Sequence, residues 1–140
     1  MSEKYKTHDG GLYFVTFSVV GWIDLFVRKE YQDFLDENIR FCRENKGLEL
    51  FCYYILPSHV HWITRRSQGR LSDLLRDFKS FTAKELLKLI RNNPPESRKE
   101  WMFQKFRQHG SVSPQKQDYQ VWNRNNHSFW LESSWMTDQK

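Results

Sequence analysis

Residues 48–65, LELFCYYILPSHVHWITR, constrain the fold of this chain more than any other stretch. The first half is continuously apolar and aromatic, and the second alternates. Only Pro57-Ser58 separates them, so the two read as strands joined in an antiparallel hairpin. Residues 12–20, LYFVTFSVV, preceded by Gly10-Gly11, form another strand, apolar on both alternating faces and therefore central in a sheet. Residues 21–26 read as a loop.

The segments between the strands have helical periodicity. In 29–45, Phe34, Leu35, Ile39, Phe41 and Cys42 recur amid charge, and Gly47 marks the stop. In 71–90, Leu71, Leu74, Leu75, Phe78, Thr82, Leu86 and Leu89 make one stripe at spacings of three and four. Asn92-Asn93-Pro94-Pro95 ends it. Residues 96–108 predict a further helix carrying Trp101, Met102, Phe103 and Phe106, and 110–118 a polar loop. Residues 119–123 and 128–132 read as short strands around the turn Arg124-Asn125-Asn126, and Ser133 or Ser134 caps an incipient last helix. The order is the βαββαβ of a ferredoxin-like α+β sandwich: an antiparallel sheet with two helices on one face. Its other face is left for a site or a partner.

The chain has 140 residues, which suits a single domain, here a tail over 1–10 and one unit over 11–140. Aromatics make up 16% of it, enough to exclude disorder, and no apolar run approaches the roughly 20 residues that span a bilayer. Residues 1–10 are polar and contain no secretion segment, so a cytoplasmic location is expected. Cys42 and Cys52 fall in no CxxC or Cys/His cluster; two reduced, buried thiols are expected, not a disulfide scaffold or a zinc finger. Formal net charge is +5, yet residues 65–110 carry 12 basic and 5 acidic residues, or +7. Charge so concentrated suits a polyanionic partner.

His59-Val60-His61 is the sharpest chemical feature. Side chains two apart on a strand share a face, with Cβ atoms about 6–7 Å apart, so two imidazoles can converge on one metal ion. Val60, Trp62 and Thr64 then point toward the helix-covered core. A pair of strand histidines bonded only to neighbours or solvent is the plainer alternative.

The context of this pair makes the chain recognisable. Residues 56–63, LPSHVHWI, resemble the HUH metal motif (His, bulky apolar, His) of single-tyrosine transposases, the REP-associated tyrosine transposases and their insertion-sequence relatives. Residues 11–17 resemble that family's first strand and 71–82 its helix after the metal strand. Tyr119-Gln120-Val121-Trp122 with Asn126-His127 resembles the region before its last helix. The resemblance spans residues 11–140 in matching order. It implies cutting and rejoining of single-stranded DNA, with His59 and His61 ligating Mg²⁺ or Mn²⁺ at the scissile phosphate. It also implies a tyrosine on the last helix as nucleophile, and homodimers that bind hairpin DNA.

One departure from the pattern matters. In that family the segment resembling residues 134–140 leads into the nucleophile helix, and here no tyrosine follows Tyr119. Tyr119 matches a strand tyrosine without a nucleophilic role, and one of Tyr53 and Tyr54 must share the open face as sheet packing. No nucleophile is therefore assigned, and hairpin or single-stranded DNA binding without a covalent link is expected. His109 suits a helix C-terminus, and His127 is a weak candidate for a third ligand. Arg65, Arg66, Arg70, Arg76, Lys79 and Lys84 are the candidates for phosphate contact. The rival reading is an RNA-binding module on the same topology, although no RNP1-like run occurs.

Overall fold

The hairpin forms as its sequence dictates. In a computed structural model describing residues 10–131, β1 (Tyr13–Ser18), α1 (Lys29–Asn45), β2 (Leu48–Ile55), β3 (His59–Arg66), α2 (Leu71–Arg91), α3 (Lys99–Val112) and β4 (Phe129–Trp130) follow in order. The sheet order is β2-β3-β1-β4 with antiparallel neighbours, which is the ferredoxin-like topology. The expected tail and incipient last helix lie largely or wholly outside the described residues.

Period-two alternation sorts the strands. Tyr13, Val15 and Phe17 of β1 and Val60, Trp62 and Thr64 of β3 are buried against Leu35 and Ile39 of α1 and Leu74, Leu75 and Phe78 of α2. Trp62 sits at the centre, edge-on to Phe17 and Phe78 with ring centroids 5.0 and 5.1 Å apart. The α2 stripe is buried as expected except at its end, where Ile90 replaces Leu89. On α1, Tyr31 is buried while Phe41 is half exposed. Gly47 takes φ 72 after α1, in the left-handed region open to glycine, and a Cβ there would lie 2.8 Å from Ser67 Oγ.

Four expectations need correction. Cys52 is exposed, not buried, because Phe51 bulges out of the register between Leu50 and Cys52 and leaves Cys52 opposite Ile63 on the outer face. Residues 21–26 are not an open loop but contribute to two single 3-10 turns, Val20–Trp22 and Leu25–Val27. The α3 helix continues through Gly110 to Val112, because Gly110 lets residues 117–119 cross it closely; a Cβ would stand 2.5 Å from Gln117 O. Among the described residues, 119–123 and 128–131 do not pair with each other. Trp122 makes one bridge to Val19, while Phe129 and Trp130 pair with Phe14 and Tyr13, so both return to the β1 edge. No helix among the described residues is long and apolar enough to cross a membrane.

Candidate metal and nucleic-acid site

Because β3 alternates, His59 and His61 emerge together on the face that α1 and α2 do not cover, both half-buried. Their ring centroids are 4.9 Å apart and their planes nearly perpendicular, at 85°. Register brings Thr16 opposite His61, and Thr16 Oγ1 lies 2.8 Å from His61 Nδ1. Ser58 Oγ lies 3.2 Å from His59 Nδ1. With each Nδ1–H donated to a hydroxyl, each Nε2 keeps its lone pair, the arrangement by which outer hydrogen bonds orient metal-binding imidazoles. Burial, and then the neighbouring His59, hold the His61 pKa below the usual imidazole value, which favours the neutral ligand form.

The pair is framed by aromatics. Phe14 stacks on His61 at 5.3 Å, Tyr54 meets it edge-on at 6.2 Å, and Trp22 meets His59 edge-on at 5.5 Å. The donor set fits the open part of a divalent site, two imidazole rings each held from behind by a hydroxyl. Among the described residues no group of three or more His, Cys, Asp or Glu completes it, so His127 does not join the pair. His109 lies in the last turn of α3, three residues before its end, beside the Val20–Trp22 turn.

The tyrosines divide by face. Tyr54, opposite His61, shares the open face; Tyr53, opposite Trp62, turns to the helix side and donates to Asp36 Oδ1 at 2.9 Å. Tyr119 accepts from Arg107 at 3.0 Å, a bond that lowers the phenol pKa.

The basic candidates are not one patch. Arg65 shares the open face, 3.6 Å from Glu49 and 5.5 Å over the Phe51 ring. Arg66 turns inward, its guanidinium donating to Lys46 O and Arg70 O at 3.0 and 2.9 Å. Arg70, Arg76 and Lys84 are exposed on the α2 side, where Arg76 lies 3.3 Å from both Asp73 and Asp77. Arg76, Lys79, Lys84 and Arg124 line an open groove of ≈ 640 Å³ against residues 115–126.

Lys79 is a clasp. Its ammonium donates to Asn123 O, Arg124 O and Asn126 Oδ1 at 2.6, 3.2 and 2.8 Å, and burial, then Arg124, lower its pKa to about 8. Asn126 O in turn accepts from Thr16 N, the residue that orients His61. Lys79→Met should therefore cost about 1–3 kcal/mol in urea unfolding, since it strands three oxygens, and should speed exchange of the Thr16 amide. Thr16, Phe14 and Trp22 were not among the sequence candidates.

The fold of this chain is shared with solved transposase structures. It superposes on the structure of a REP-associated tyrosine transposase bound to a REP hairpin with a TM-score of 0.56 and 15% identity, covering 99% of this chain and 67% of that one. It also superposes on a protein of Deinococcus radiodurans R1 assigned as a transposase, with a TM-score of 0.53 and 16% identity, covering 99% of this chain and 92% of that one. No protein-family profile and no curated protein matches the sequence.

Proposed function

We propose that this chain is a transposition-type domain that binds hairpin or single-stranded DNA across the open sheet face. The observation that carries the reading is the His59–His61 pair, its Nδ1 atoms engaged by Ser58 and Thr16 and its Nε2 atoms left for a ligand. His59 and His61 would hold Mg²⁺ or Mn²⁺, which when bound polarises a phosphodiester and offsets charge developing on it. Arg65 supplies a cation on the same face, and the exposed Arg70, Arg76 and Lys84 supply phosphate contacts on the flank. The likeness to a transposase bound to a REP hairpin supports a DNA partner.

Among the described residues none is assigned as the nucleophile. Tyr119 and Tyr53 have hydroxyls engaged by Arg107 and Asp36, Tyr13 and Tyr31 are buried, and Tyr54 serves as the cross-strand partner of His61. The domain is proposed to act as a homodimer, as the resemblance implies.

Gel-shift competition between a hairpin DNA with a single-stranded flank and the RNA of the same sequence, at fixed salt, tests the reading. Tighter DNA binding is expected, weakening steeply as salt rises. Preference for the RNA would favour the RNA-binding module, and no binding to either would remove the nucleic-acid function. The 140-residue chain is expected to give no SDS-stable adduct with the DNA; an adduct would overturn the statement about the nucleophile.

A further inference from the structure

We propose that Trp22 is a stacking platform for an unpaired base beside the phosphate received by the His59–His61 pair. The inference rests on the DNA-binding reading above and names how the strand is positioned. Gly21 and Trp22 take consecutive left-handed conformations, φ 65 and φ 54. Glycine does so freely, but a bulky L side chain rarely does, and such strain gathers where function holds it.

The surroundings enforce this conformation. Val20 and Ile23 are buried on either side, Val20 N donates to Val121 O at 2.8 Å, and Trp22 N donates to Val19 O at 3.2 Å. Between these anchors the Trp22 side chain remains 67% exposed. Neither core packing nor backbone preference accounts for a large aromatic there. Its ring is nearly perpendicular to that of His59, at 86°, so at least one indole face stays open. An open aromatic face next to a pair of candidate ligands suits a nucleobase, because every base offers a π-surface and the adjoining phosphate then falls at the imidazoles. Tyr54 repeats the arrangement beside His61, and the chain's net charge of +5 suits the polyanion.

The test uses the full chain and a single-stranded oligonucleotide in which an abasic position is walked along the sequence. Trp22→Gly should weaken binding roughly ten- to hundredfold. Its melting temperature should hold or rise, since glycine accepts this backbone without strain. One abasic position should weaken wild-type binding by a similar factor and leave Trp22→Gly unaffected, while Trp22→Phe keeps most of the affinity. If Trp22→Gly binds as tightly as wild type, the platform is wrong and the DNA reading stands. If its melting temperature falls in step with affinity, Trp22 is structural and the platform is equally wrong. Absence of any DNA binding by the wild type would sink both.

Discussion

Glu96→Gln lowers stability at neutral pH by about 3 kcal/mol and removes most of the protein's acid sensitivity between about pH 4.5 and 2. The Glu96 side chain has no exposed surface, yet donors from Arg28, Tyr31 and Arg98 converge on it. Arg28 Nε lies 2.8 Å from Oε1, Tyr31 OH donates to Oε1 at 3.0 Å, and Arg98 donates to Oε2 from both Nε and its backbone N at 3.0 Å. Arg98 extends the cluster to Asp24 Oδ1 at 2.6 Å. One carboxylate thus ties the entry to α1 and the turn before it to the entry of α3. Neutralising it leaves two guanidinium groups facing each other over a buried amide.

Burial pushes the Glu96 pKa up, but the Arg98 and Tyr31 hydrogen bonds and the Arg98 charge outweigh it and hold the group at about 2 against an ordinary 4.5. A carboxyl depressed on folding contributes stability above its unfolded pKa and loses it as pH falls toward the folded one, because the unfolded chain takes up the proton first. A shift of this size corresponds to about 3 kcal/mol, in line with the mutational cost. Urea unfolding of both proteins at pH 7 and near pH 2.5 measures it. Wild type should lose stability sharply on acidification and Glu96→Gln far less.

Trp62→Ala should cost about 3–5 kcal/mol, the scale of emptying an aromatic core position. Trp62 is fully buried on a central strand, against Phe17 and Phe78, and Phe17 passes the contact to Trp122 at 5.1 Å. The midpoint of urea unfolding should fall with little change in slope. His61→Ala, one residue away on the opposite face, should cost far less. Equal losses would mean that β3 does not divide its side chains between core and open face.

That division was legible in the sequence because strand alternation is geometric. HVHWIT puts Val60, Trp62 and Thr64 on one side and both histidines on the other without reference to any neighbour. Helix α1 was equally legible, since a periodic apolar stripe and Gly47 fix both ends locally. What escaped depends on distant partners. Thr16 gains its role only when β1 pairs with β3, and Lys79 looks like a surface cation until residues 123–126 fold over it. The segment after α3 misled because its strand-like composition satisfies β1 in two separate places. The contrast between Arg65 and Arg66 is instructive: adjacent in sequence, they lie on opposite faces, and only Arg65 keeps its charge on the side of the imidazoles.

A titration with Mn²⁺ followed through the imidazole proton resonances tests the central claim most directly, because paramagnetic broadening reports even weak coordination at its site. His59 and His61 should broaden together, at lower Mn²⁺ than any other histidine, and His59→Ala/His61→Ala should abolish that early broadening without unfolding the domain. Uniform broadening of every histidine, or none at the pair, would contradict a divalent site on the open face.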